Sequence, residues 1–246
     1  MGNVPWDLFV LDFMRRSDSK STLKQQEVFY MKTTGVIRKL DELGRITLPI
    51  ELRRSLDLDK ISAICGKVIK NGKMDINHGK YYYKKGIRIC EASIPAEMYE
   101  KKEFEMGSFT YVGTIMNKKK LLEAGLPNKD YFIYWDDLEH GIRMRKAGKI
   151  IGVPGIVAYH DVGEEGSGIN WKLYYSYRNM IDTYRKHFSG VCYDYFCLKI
   201  RVKIFLNHMT GHKKLELNIL EEAFKNARQQ KFGLHPVYRP GWKPGE

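Results

Sequence analysis

The spacing of apolar and polar positions changes along the chain. From Ile61 to Val68 the run Ile-Ser-Ala-Ile-Cys-Gly-Lys-Val is almost wholly apolar or small, the pattern of a strand covered on both faces, with Gly66 at its end. Short strands then alternate with two helices, Asn117 to Ala124 and Asp136 to Ala147, the second expected to stop at Gly148. From Trp171 onward Trp171, Tyr174, Tyr175, Arg178 and Ile181 recur at three- and four-residue spacing, which predicts helix. Ahead of all this, an apolar cluster from Trp6 to Met14 is followed by a polar run from Arg15 to Gln26 of loop or linker character. There is no internal repeat.

Composition narrows the class. A formal charge of +13 calls for an acidic partner: nucleic acid, anionic lipid or a diphosphate. Sixteen tyrosines suit a sugar-binding or interfacial surface, and serve equally to line the rim of a core. Cys65, Cys90, Cys192 and Cys197 show neither Cys-x-x-Cys spacing nor the density of a disulfide framework, which predicts a reducing, cytoplasmic setting. No secretory leader is read in Met1 to Val10. The run from Val191 to Met209 carries Asp194, Lys199, Arg201 and Lys203, too many charges for a spanning helix. Its mixture of aromatic, apolar and basic residues, with that of Trp171 to His187, favours lying at an anionic membrane surface.

The chemistry concentrates between Phe109 and His160. Asp136 and Asp137 open a predicted helix directly after Trp135, where the positive helix end favours their ionised, basic form. A carboxylate there can take the proton of a sugar hydroxyl as it attacks, with Trp135 under the sugar ring. The same position fits two residues that only cap the helix. His160 ends a β-branched and small run and can reach a metal, or serve a structural role. The Gly-rich segment Gly163 to Gly168 reads as a lid or as a solvent loop. Arg178, between Tyr177 and Asn179, can offer a cation to a diphosphate or snorkel from its helix.

Phe109-Thr-Tyr-Val-Gly-Thr114, Gly125-Leu-Pro127, Trp135-Asp-Asp137 with Glu139, Arg143, Gly148, His160 and Trp171-Lys-Leu-Tyr-Tyr175 occur in an order that resembles inverting glycosyltransferases of the GT-A fold, family 2. The nearest likeness is to galactofuranosyl- and rhamnosyltransferase-like members, over residues 61 to 233. The resemblance implies Asp137 as general base, Trp135, Asp136 and Glu139 as acceptor-binding residues, His160 as a ligand of a divalent Mn or Mg ion, and Arg178 at the donor diphosphate. It implies a nucleotide-sugar donor and a glycan or lipid-linked acceptor. Such enzymes place a nucleotide-binding half and an Asp-x-Asp metal motif ahead of this region, where only about 60 residues stand here. Asp57-Leu-Asp59 has the letters of that motif but lies too close to the Ile61 strand. A separate chain carrying the nucleotide half is therefore an expected partner, and a non-catalytic remnant is the alternative.

A second segment, Lys32 to Arg54, contains Gly35-Val-Ile-Arg-Lys39, Asp41-Glu-Leu-Gly44 and Arg45-Ile-Thr-Leu-Pro49, which read as strand, turn and strand before a short helix. It resembles the opening of an AbrB/SpoVT-type swapped-hairpin DNA-binding domain. That resemblance implies that Arg38, Arg45, Arg53 and Arg54 face DNA in a dimer. The family needs a second strand pair after the helix, and here the chain has entered Ile61 to Val68. Ile61 to Ile64, Lys67 to Lys70 and the Asn71-Gly72 turn also spell a hairpin.

The expected organisation is α/β: an unassigned or linker stretch 1–30, a partial AbrB-like hairpin module 31–60, a partial GT-A sheet with flanking helices over 61–188, and a C-terminal helical region with tail over 189–246. The expected location is the cytoplasm, peripheral at the inner face of the membrane.

Overall fold

A computed structural model describes residues 8–9, 58–160, 168–209 and 214–244. The AbrB-like segment with Arg38, Arg45, Arg53 and Arg54, Asp57 and most of the Gly-rich loop lie outside the described residues. These describe a mixed α/β protein with a mixed sheet and five α-helices.

The chain forms two compact units. The described residues of the first are 8–9, 58–81, 93–126 and 141–160, and those of the second are 82–92, 127–140, 168–209 and 214–244. The expected 61–188 block is thus shared between them.

The first unit is built on β2 (Ile61–Lys70), which runs parallel to β8 (Lys149–His160) and antiparallel to β7 (Thr114–Asn117). The edges are β1 (Leu8–Phe9) against β7 and β6 (Phe104–Met106) against β8. A strand buried between neighbours reads as an almost unbroken apolar run; Ile61 to Gly66 are buried, and the hydroxyl among them, Ser62 Oγ, donates to the Gly148 and Lys149 carbonyls at 3.1 Å. Gly66 stands mid-strand rather than at its end. A β-carbon there would lie 2.8 Å from the Ile156 carbonyl oxygen, beside a register shift between β2 and β8. Asn71 and Gly72, at φ 48° and 77°, turn the chain back into β3 (Lys73–Met74). The hairpin turn is therefore real, but Ile61 to Lys70 is one strand of the mixed sheet.

Helix α1 (Lys118–Ala124) begins where Asn117 Oδ1 accepts from the Lys119 and Lys120 amides, and it is followed by Gly125 at φ 78°. Helix α2 (Asp136–Ala147) has the expected bounds. Gly148 serves it differently from the expectation. Its φ is not left-handed, and a β-carbon there would meet the Lys60 carbonyl at 2.8 Å and the Ser62 amide at 3.0 Å. Close approach of the backbone to β2, not a left-handed cap, requires glycine here. Met144 and Leu121 complete a core with Ala63, Cys65, Phe109, Met116 and Ile150.

In the second unit α3 (Lys172–His187), α4 (Val191–Met209) and α5 (Leu215–Arg228) pack around Ile181, Cys197, Ile200, Leu220 and Phe224, and around Tyr174, Tyr175, Ile219 and Ala223. Strands β4 (Lys80–Lys85) and β5 (Arg88–Ser93) pair as a two-stranded ribbon. No helix among the described residues is long and apolar enough to cross a membrane.

Candidate functional site

The residues just before α2 have an uncommon backbone. Phe132, Tyr134 and Trp135 all have left-handed φ, at 67°, 61° and 67°. For non-glycine residues this costs about 1 kcal/mol or more each, so the surroundings must hold the turn in place. Asn179 on α3 does so. Its Nδ2 donates to the carbonyls of Tyr131, Ile133 and Tyr134, each at 2.9 Å. Arg178 Nε holds the Asn179 Oδ1 at 3.0 Å, which aims the amide at those carbonyls. The Arg178 guanidinium donates further to Gly233, Asp130 and Tyr131 carbonyls and lies 5.0 Å from the centre of the Tyr175 ring. At 1% exposure Arg178 is neither a diphosphate-facing cation nor a snorkelling residue in this structure, but the inner clasp of the turn.

Below the clasp, the Tyr131 hydroxyl donates to Asp182 at 2.8 Å, and Asp182 is paired with Arg185 and Lys186 at 2.7 and 2.8 Å. A buried carboxylate with two cations and a phenol is satisfied, and it anchors the 127–140 stretch to α3.

The turn delivers Trp135, Asp136 and Asp137 together. Trp135 is met edge-on by Tyr184 of α3 at 5.6 Å and by a tilted Tyr82 of β4 at 5.6 Å. Asp137 Oδ1 accepts from the Leu138 amide at 2.8 Å, a cap-like contact within the first helical turn. Burial, and then the charge of Asp136, push the Asp137 carboxyl up to about 7; burial also raises Asp136. The helix end was expected to keep both strongly ionised, and desolvation outweighs it. A carboxyl poised near neutrality suits proton transfer better than an ordinary one.

Glu139 is turned inward. It is 3% exposed and meets His187 Nε2 at 3.0 Å, so its placement is that of a buried pair rather than an acceptor-facing group. His160 ends β8 in the first unit, opposite Lys70. Among the described residues no group of three or more His, Cys, Asp or Glu side chains is placed to hold a metal ion, and His160 stands there without a completed ligand set. Asp59 lies exposed in the short turn before β2.

Sequence reasoning missed Tyr82, Tyr184 and Asn179. Tyr184 continues the spacing of Tyr177 and Ile181 along α3, a signal that was available. Tyr82 comes from a distant ribbon, and nothing local announces it.

No protein-family model matches the chain. It is similar to galactofuranosyltransferase GlfT2 of Mycolicibacterium smegmatis, 26% identical over 117 residues, which is 40% of this chain and 18% of that protein. It is also similar to the transition state regulatory protein AbrB of Bacillus subtilis, 54% identical over 35 residues, and to the Abh protein of the same organism, 71% identical over 28 residues. The chain spans 36% and 30% of those two proteins.

Proposed function

We propose that this chain carries the acceptor side of an inverting, family 2-like glycosyltransferase acting on a nucleotide sugar and a glycan or lipid-linked acceptor. The observation that carries the reading is Asp137, raised to about 7 and delivered beside Trp135 and Asp136 by the clasped turn. The likeness to a galactofuranosyltransferase supports it. In the proposed step Asp137 takes the acceptor hydroxyl proton as that oxygen bonds to the anomeric carbon. The bond from that carbon to the diphosphate oxygen breaks on the opposite face, so configuration inverts and the nucleotide diphosphate leaves. Trp135 offers the face on which a sugar ring stacks, and Asp136 accepts a neighbouring hydroxyl. His160, in the first unit, is the residue proposed to ligate a Mn or Mg ion, which would supply positive charge to a diphosphate; no group of three ligands completes such a site among the described residues.

The acceptor side is tested without a donor. Tryptophan fluorescence or ligand-observed NMR with galactofuranose- and rhamnose-containing oligosaccharides should report binding, weakened about 5- to 10-fold in Asp136→Asn, where a neutral amide oxygen replaces the charged acceptor and the bond is weakened, not lost. Unchanged spectra with every oligosaccharide would remove the reading. With the nucleotide-binding half supplied by a partner chain, His160→Ala should weaken metal-dependent donor binding and leave acceptor binding unchanged.

A second reading rests on the AbrB likeness. A DNA-binding regulator built on 32–54 would dimerise and bind duplex DNA with a steep salt dependence, flattened in Arg53→Ala/Arg54→Ala. Our reading expects no gel shift at physiological salt, and a clear one would reverse the ranking.

A further inference from the structure

Helix α4 is apolar on two sides. One side buries Cys192, Cys197, Ile200 and Asn207, and joins the core of the second unit. The other side is exposed: Val191 at 66%, Leu198 at 55%, Val202 at 48%, Phe205 at 60%, Leu206 at 53% and Met209 at 70%. These six positions recur at helical spacing and fall on one stripe along the whole helix. Single exposed apolar residues are ordinary, but six large ones in a continuous row mark an interaction surface.

The charges beside the stripe say what it meets. Lys199 and Lys203 border it on one flank and Arg201 on the other, all exposed, and Asp194 is the single acid in the helix. An apolar centre between basic rims matches the acyl-chain and phosphate layers of an anionic bilayer. A second copy of the helix is a poor match, because two-fold pairing would set basic rims against each other with few acids to offset them. Asp194, Lys199, Arg201 and Lys203 also keep the helix from spanning, although its 19 residues are long enough to do so. The Trp171 to His187 segment, expected to share this role, is instead internal, with Tyr174, Tyr175 and Ile181 buried.

We propose that α4 lies in the plane of an anionic phospholipid surface, with Val191, Leu198, Val202, Phe205, Leu206 and Met209 among the acyl chains and Lys199, Arg201 and Lys203 at the phosphates. This docking stands whether or not the chain transfers sugar.

The test is co-sedimentation of the full chain with sucrose-loaded vesicles, either of equal parts phosphatidylglycerol and phosphatidylcholine or of phosphatidylcholine alone. Binding to the anionic vesicles is expected, and it should weaken with salt. Val202→Ser/Phe205→Ser should lower partitioning about tenfold or more with an unchanged circular dichroism spectrum, because both side chains are exposed. Lys199→Gln/Arg201→Gln/Lys203→Gln should lower it by about 10- to 100-fold on anionic vesicles. Failure to sediment with phosphatidylglycerol overturns the proposal. So does binding that ignores the serine pair, since the net charge alone would then explain it. A lipid-free dimer that the serine pair dissociates would assign the stripe to a second copy instead.

Discussion

Asp137→Asn is expected to lower sugar transfer by about two to four orders of magnitude in the reconstituted enzyme while making the protein more stable above pH 7. The first effect is the loss of the proposed base. The second follows from the direction of the shift. The folded carboxyl is raised to about 7 from an ordinary value of 3.8, so the folded state holds its proton where the unfolded chain has released it. Stability from this group is therefore complete below about pH 4 and is lost as the pH climbs to about 7. Above that, the wild-type protein carries a desolvated charge worth about 2–4 kcal/mol, which asparagine removes. Denaturation followed by tryptophan fluorescence at pH 4 and pH 8 should show the variant ahead only at pH 8. Parallel pH profiles for the two proteins would mean that Asp137 titrates normally. Near-full transfer by the variant would pass the role of base to Asp136.

The largest structural loss should come from Asn179→Ala. One amide nitrogen serves three carbonyls of a turn in which Phe132, Tyr134 and Trp135 are left-handed. The Tyr131 carbonyl keeps the Arg178 guanidinium and the Ile133 amide, but taking this donor from the Ile133 and Tyr134 carbonyls costs about 1–3 kcal/mol each, so a loss of about 2–4 kcal/mol is expected after partial relaxation. Asn179→Asp, nearly identical in shape, should do no better, since a carboxylate has no N–H to give. Near-ultraviolet dichroism of Trp135 should collapse with stability in both variants. Survival of that signal at wild-type stability would show that the turn holds itself.

Much of the framework was legible in the chain. Asp136 to Ala147 and Lys118 to Ala124 follow from spacing and caps, and the buried strand from its unbroken apolar run, because those signals are local. The spacing places a helix stop at Gly148, yet its need for glycine comes from β2, across the 86-residue separation of the Ser62–Gly148 hydrogen bond. The resemblance to sugar-transferring enzymes singles out Trp135, Asp136 and Asp137, consecutive residues that the left-handed turn delivers into the start of α2. It does not separate Glu139, which turns inward to His187, from its half-buried neighbours, because residues one turn apart on a helix differ in burial only once the packing is known. Asn179 escaped notice for a related reason: its importance lies in carbonyls 45 to 48 positions away, which leave no mark in the pattern of side chains.

The left-handed turn also bears on the order of folding. Three aromatic residues in that backbone have little tendency to adopt it alone, so the turn cannot precede the helix that supplies Asn179. Helix α3, built from local contacts, is expected to form first, with the stretch before α2 captured by it afterwards. The carboxylates then reach their places late, on the native side of the folding barrier. Substitutions at Asn179 should accordingly speed unfolding and leave the folding rate almost unchanged.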